Sequence, residues 1–368
     1  MGKIETHELG GIRMHHFICI DSFKGCLSSS DAARAIRTGI LSADPDATID
    51  WSPVADGGEG TLEALSANGF RELTATTIDL AGRPIQVTYV QKGQTAVIEV
   101  ATICGLYLKR SEEAALLLDT RGVGRLVRHV LETNVSEMFL ALGGTATTDG
   151  GLGFLFELGA DLLTQTGQPI PWQTNPLLET KQIRLPKEID GLHVLADVTA
   201  TYAGKRGAAH VFGPQKGLTV QEIEQLDTRL GDIGKQLGID RVPGAGAAGG
   251  LGGAAYALGA SIDSGAAYIL RVIDAEERIK RADYVWTGEG RIDRQTMMGK
   301  LPATVVAFAN RSSVPCILLA GEVTERLEQA SVCETIHDPD EETTLDPVIT
   351  KKRLTRRAEQ IVRRLMTR

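Results

Sequence analysis

The chain has 368 residues, a net charge of −8 and a globular composition, 42% hydrophobic and 23% charged. That length suits two domains of ordinary size, and an acidic balance with no basic region leaves nucleic acid out as a partner. No apolar run approaches the roughly 18 residues of a membrane span and no signal-peptide core is present; five cysteines without CxxC or His spacing read as reduced thiols of a cytoplasmic protein.

Residues 1–13 precede what reads as a natural start at Met14 and are set aside as an extension. From there, apolar runs at 16–20, 49–54, 95–100, 138–142, 193–196, 284–287 and 316–319 predict strands. They alternate with helical patterns, clearest at 30–41 and 219–237, which is the signature of α/β architecture. In the second helix Ile223, Leu226, Leu230, Ile233 and Leu237 form a core-facing stripe. A last amphipathic helix at 350–368 sets its apolar residues against eight Lys or Arg, read as a solvated face whose cations complement the helix dipole. Several strands run directly into Gly, Asp or Ser, and in open α/β sheets ligands bind at such carboxyl ends.

The 41 glycines exceed the usual share of roughly 7% and are bunched into short runs. Five clusters follow in chain order. After the first strand comes Asp21-Ser22-Phe23-Lys24-Gly25, with Ser28–Ser30 as a helix cap; a lysine beside free helix N–H groups suits phosphate or carboxylate. After the second strand Asp56 and Glu59 sit among Gly57, Gly58 and Gly60, a loop suited to Mg²⁺ or a substrate hydroxyl. Arg121, at a helix start, offers a two-point clamp for a carboxylate or a surface ion pair. Residues 143–151, GGTATTDGG, combine glycine N–H groups with the hydroxyls of Thr145, Thr147 and Thr148 as a nest for phosphate oxygens.

The fourth cluster runs from Asp197, at a strand end that suits a base or a metal ligand, through Lys216 to the glycine run 244–253. Gly244, Gly246 and Gly249 formally match GxGxxG, which admits a dinucleotide-binding dehydrogenase. That fingerprint requires a preceding strand, and 238–242 is short and polar, so close helix packing is the competing reading. The fifth cluster places Glu289, Arg291, Asp293 and Lys300 after another strand. Phosphoryl transfer needs that mixture of carboxylates for Mg²⁺ and cations for developing charge. Neither a Walker A motif, a protein-kinase set nor a GxSxG elbow occurs in the chain.

DSFKG (21–25), VADGGEGT (54–61), GGTATTDGG (143–151), FGPQKG (212–217), PGAGAAGGLGG (243–253) and TGEGRID (287–293), in this order, resemble the type-1 glycerate kinase family over residues 14–366. The resemblance implies ATP and Mg²⁺ as cofactors, D-glycerate as acceptor and 2-phosphoglycerate as the usual product, with a related hydroxy acid or the 3-phosphate as variants. It implies two α/β domains, one Rossmann- or flavodoxin-like with a parallel sheet (14–75 plus 280–368), the other inserted into it (76–279), with the active site in the cleft between. A homodimer is compatible with it. The chain departs from the family at Ile20, at Cys26 and at Ala200-Thr201-Tyr202, the last a change that bears on acceptor choice.

On this footing Asp197 is expected to orient the attacking hydroxyl, with Lys24 and Arg291 as catalytic cations. Asp21, Ser22, Lys24, Asp56, Gly57, Gly58, Arg121 and Lys216 are expected around the acceptor. Gly143, Gly144, Thr145, Thr147, Gly150, Gly246, Gly249, Gly250 and Lys300 are expected around the nucleotide, and Asp56, Asp197, Glu289 and Asp293 around Mg²⁺.

Overall fold

The structure, a computed structural model, describes residues 13–172, 174–294, 296 and 300–367. All of the segment 1–13 except Arg13, and Met298 and Gly299 of the fifth cluster, therefore lie outside the described residues.

Thirteen strands are present among the described residues. In chain order they are β1 (His15–Ile18), β2 (Thr48–Trp51), β3 (Arg71–Ile78), β4 (Pro84–Lys92), β5 (Thr95–Glu99), β6 (Glu137–Ala141) and β7 (Asp161–Leu163). There follow β8 (Gln182–Arg184), β9 (Leu192–Leu195), β10 (Ser261–Asp263), β11 (Tyr284–Ile292), β12 (Cys316–Val323) and β13 (Val332–Thr335). The seven apolar runs singled out in the sequence all fall on strands. The chain divides into two compact units, residues up to Pro53 with those from Asp274 onward, and Val54–Ile273. The sequence-based boundary at 75/76 falls inside β3, which pairs antiparallel with β4; pairing to the inserted sheet draws that segment into the second unit.

The first unit holds a five-stranded parallel sheet in the order β13-β12-β11-β1-β2. Chain order runs outward in one direction from β1 to β2 and in the other from β11 to β13, so the topological switch point lies between β1 and β11. Crevices at such points take ligands. Phe17, Ile18 and Trp286 are fully buried in this sheet. Over one face the helices Ser29–Ala43 and Pro347–Met366 pack through Ile36, Ile40, Leu354, Ala358 and Ile361.

The C-terminal helix departs from the solvated face expected of it. Arg357 pairs with Asp338 (2.7 Å) and Glu334 (3.7 Å), Arg356 with Glu341 (2.7 Å), and Arg353 with Glu341 (3.3 Å). Three of its cations thus tie down the segment that leads back into the helix.

The second unit has a six-stranded mixed sheet, order β10-β9-β6-β5-β4-β3, parallel from β10 to β5 and antiparallel beyond. A small antiparallel pair, β7-β8, stands apart. The helix Val220–Leu237 buries Ile223, Leu226, Leu230 and Ile233 of the stripe read from sequence, leaves Leu237 half-buried, and closes with Gly238 in the left-handed region. Its start is a reciprocal capping box. The Thr219 hydroxyl accepts from the Glu222 N–H, and the Thr219 N–H donates to the Glu222 carboxylate. Replacing Thr219 by Ala removes one half of that exchange and should lower stability by about 1 kcal/mol, read as an unchanged denaturant slope with an earlier midpoint. No change in midpoint would mean that the cap contributes nothing.

Candidate active site

The clusters sort into two groups, each assembled within one unit. In the second unit the 54–61 loop crosses the carboxyl ends of the parallel strands. The Gly143 N–H donates to the Gly57 carbonyl (3.2 Å), directly after β6. A Cβ on Gly143 would lie 2.4 Å from the Gly58 Cα, so only glycine permits this approach. Asp56 and Asp197 meet at Gly265, where a Cβ would lie 2.3 Å from the Asp56 carbonyl. The Asp197 Oδ1 accepts from the Ser264 hydroxyl (2.8 Å) and the Gly265 N–H (3.0 Å), and its Oδ2 from the Ala266 N–H (3.0 Å). Burial pushes its carboxyl up to about 6, with the Asp56 charge adding to the rise and the Ser264 and helix hydrogen bonds opposing it. A carboxylate held at the start of the helix Gly265–Val272, titrating near neutrality beside a second carboxylate, is suited to accept or orient a proton.

The 143–151 turn is bound to the protein at almost every point. Lys216 Nζ donates to the Thr147 carbonyl (2.6 Å), the Asn175 amide to the Thr148 carbonyl (3.1 Å) and the Tyr202 hydroxyl to the Gly150 carbonyl (2.7 Å). Beneath the turn, the fully buried Asp149 accepts from the Thr120 N–H and hydroxyl and from the N–H groups of Gly151 and Gly153. Burial and neighbouring Asp119 push the Asp149 carboxyl up, and the Thr120 and Gly153 donors pull it back.

Several expected contacts change character here. The Gly150 N–H donates to the Gly249 carbonyl (3.1 Å) and the Gly246 N–H to the Ala200 carbonyl (3.0 Å), so neither donor is left for a phosphate. A Cβ on Gly249 would meet the Thr147 carbonyl at 2.0 Å, and one on Gly250 the Gly150 Cα at 2.6 Å. The run 244–253 is a packing device, and no strand leads into it as a dinucleotide fingerprint requires. Thr145 and Thr147 are buried, the Thr147 and Thr148 hydroxyls have no partner among the described residues, and Gly144 is the exposed part of the turn. Lys216 is 4% exposed; burial lowers its ammonium to about 8 against the raising effect of Asp149, so it supports the turn from inside. Arg121 is already clamped by Asp119 (2.8 and 3.0 Å) and stacks on Trp172, so the carboxylate it grips is the chain's own. Tyr202, part of the departure from the family pattern, is fully buried and belongs to this packing.

In the first unit the first and fifth clusters meet at the switch point. Asp21, 3% exposed, follows β1; its N–H donates to the Gly288 carbonyl (2.9 Å) and its Oδ1 accepts from the Ser22 N–H. Ser22, Lys24, Glu289, Arg291, Asp293 and Lys300 all line one cavity of about 420 Å³. Buried Glu289 accepts from the Thr296 hydroxyl (2.7 Å), and Asp293 from the Thr296 N–H (3.3 Å). Arg291 lies 3.9 Å from Asp293 and 3.5 Å from Glu322.

Among the described residues no group of three or more His, Cys, Asp or Glu is arranged as a metal cage. The candidate carboxylates come as two pairs, Asp56 with Asp197 and Glu289 with Asp293. That pairing fits Mg²⁺, which is held by one or two carboxylates together with substrate phosphates and water rather than by a protein cage.

Sequence reasoning missed Glu99, the last residue of β5. It is 6% exposed and its carboxylate accepts from the Leu62 N–H (3.2 Å), tying the start of the helix Thr61–Ser66 to the sheet. The available signal was the one used for Asp197, an acid at the end of a buried strand.

The sequence pattern of the glycerate kinase family matches residues 16–366. The chain is 38% identical over 328 residues to the glycerate 2-kinase of Escherichia coli, covering 84% of this chain and 85% of that one. It is 38% identical over 331 residues to a glycerate kinase of Halalkalibacterium halodurans, covering 84% and 86%. The crystal structure of a Salmonella typhimurium LT2 protein assigned as glycerate kinase 2 superposes with a TM-score of 0.81 at 33% identity, covering 97% of this chain and 99% of that one. The chain is an α/β enzyme of the kinase class. It belongs to the glycerate kinase family.

Glu99 yields a pH test. Its carboxyl is pushed up to about 7, chiefly by burial and also by the Glu59 charge, against an ordinary 4.5. The folded state therefore binds this proton more tightly than the unfolded chain, and the associated stability, complete below about 4.5, is lost as pH rises through about 7. Glu99→Gln removes the titration. Between pH 4.5 and 8 the stability of the variant relative to wild type should rise by about 3 kcal/mol, measured by denaturant unfolding across pH. A flat difference would show that Glu99 titrates normally.

Proposed function

We propose that the enzyme transfers the γ-phosphoryl group of ATP to D-glycerate, giving 2-phosphoglycerate, with Mg²⁺ as cofactor, in the cytoplasm. One observation carries the reading: the family match runs unbroken through both loop groups. Those groups hold a proton-accepting carboxylate in one unit and a mixed-charge cavity in the other. The similarity to the Escherichia coli glycerate 2-kinase favours the 2-phosphate over the 3-phosphate.

Asp197 orients the attacking hydroxyl and takes its proton; its Oδ2 accepts a single protein hydrogen bond among those described, which leaves room for the substrate. Lys24, Arg291 and Lys300 neutralise the negative charge of the phosphates. Asp21 and Ser22 hold the loop that carries Lys24; Gly57, Gly58 and Gly143 bring the 54–61 and 143–151 loops together, and exposed Gly144 leaves room for the acceptor beside them. Glu289 with Asp293 in one unit, and Asp56 in the other, are the carboxylates that would hold Mg²⁺, which would neutralise charge developing on the phosphates.

An assay coupling ADP release to added D-glycerate tests the activity, and phosphorus NMR of the product tests the position. Turnover giving the 2-phosphate is expected; absence of D-glycerate-dependent ADP release would overturn the reading. In Asp197→Asn, kcat should fall by roughly 10²–10⁴ with the fold intact. In wild type the rate should fall as pH drops below about 6, where Asp197 becomes protonated. A near-normal rate in the variant would remove Asp197 from the chemistry.

A further inference from the structure

The family motifs account for only one wall of the cavity in the first unit. That wall is the turn after β1 together with the C-terminal parts of β11 and β12, where Gly290 and Gly321 pack closely on each other and near Phe23. The opposite wall comes from a part of the chain that no motif singled out, with Ile336, Thr343, Thr344, Leu345, Thr350 and Arg353 facing the same space.

This second wall is built, not draped. The Arg353 guanidinium donates to the Glu342 carbonyl (2.7 Å) and pairs with Glu341. Arg356 also grips Glu341, and with the Asp338 N–H it holds that carboxyl down at about 2. Asp346 caps the following helix by accepting from the N–H groups of Val348 and Ile349. The segment between Glu341 and Asp346, which carries Leu345, is thereby fastened at both ends.

At about 420 Å³ the cavity holds far more than a three-carbon acid, and it falls within the roughly 300–1,000 Å³ typical of sites for larger organic ligands. Its lining divides by chemistry. The motif wall supplies Lys24, Arg291 and Lys300, suited to phosphates. The second wall supplies hydroxyls and, with Phe23, the apolar faces of Ile336 and Leu345, suited to a ribose and a flat base. The cavity also lies at the switch point between β1 and β11, where open α/β sheets take their ligands.

We propose that the second wall, Ile336 to Arg353, binds the nucleoside of the phosphoryl donor, while the acceptor acid is held elsewhere. The proposal rests on the kinase reading above and deepens it by naming which part of which substrate this cavity takes. Leu345 is 70% exposed, stands apart from the chemistry, and offers its side chain as one cover of the base. Leu345→Gln keeps its size and removes its apolar surface.

The test titrates the full-length protein with adenosine and with ADP by calorimetry and measures steady-state kinetics with ATP and D-glycerate. Leu345→Gln should weaken adenosine and ADP by the same factor, about fivefold for the apolar surface no longer buried against the base. It should raise the KM for ATP likewise and leave kcat and the KM for D-glycerate unchanged. A second variant, Thr343→Leu, should act in the same direction because it removes a hydroxyl. The proposal is overturned if the KM for D-glycerate rises while ADP binding stays at the wild-type value, if neither variant changes adenosine binding, or if wild type binds no adenosine. A wild type that binds adenosine and ADP but gives no turnover with D-glycerate would instead defeat the acceptor assignment and leave this cavity's assignment standing.

Discussion

A carboxylate with no exposed surface holds the second unit in shape. Asp149 gathers four donors from two segments, the N–H and hydroxyl of Thr120 and the N–H groups of Gly151 and Gly153. An ion so far from water persists only if its lone pairs are filled. The chain fills them with the N–H groups that follow β6 and with the start of the helix Arg121–Leu131. Once that turn is fixed, the carbonyls of Thr147, Thr148 and Gly150 fall to Lys216, Asn175 and Tyr202. Its exposed end, Gly143 and Gly144, is then presented beside the Asp56 loop.

The two units carry different charge sets. The inserted unit offers carboxylates, Asp56 and Asp197, at the ends of a buried sheet. The other unit offers cations around a cavity at its switch point, balanced by Glu289 and Asp293. In each case the sheet supplies rigidity; the chemistry sits at its carboxyl ends, in the inserted unit on turns and in the other unit on the end of β11 as well as on turns.

The strands and the long helices were legible because their signals are local: an apolar run, a 3–4 stripe, a serine cap at Ser28–Ser30. The clusters were legible as clusters for the same reason. What each glycine does was not. Gly143 and Gly249 lie in similar runs, yet one borders the loop of Asp56 and the other is pressed against the Thr147 carbonyl, a difference set by pairings far apart in sequence. Lys216 looked like a phosphate lysine because it stands beside glycines, and only the fold shows that Asp149 and Thr147 surround it. Arg353, Arg356 and Arg357 looked solvated because their acidic partners lie elsewhere in the chain, Glu334 on the short strand β13 and Asp338 and Glu341 in the irregular stretch that follows it.

Amide hydrogen exchange in Asp149→Asn reads out whether Asp149 pins the turn. The asparagine places an N–H₂ where donors already point. Protection at Thr120, Gly151 and Gly153 should therefore fall by about two orders of magnitude, the equivalent of about 3 kcal/mol, while amides of the β1-β11-β12 sheet keep theirs. Wild-type protection at those three amides would contradict the account.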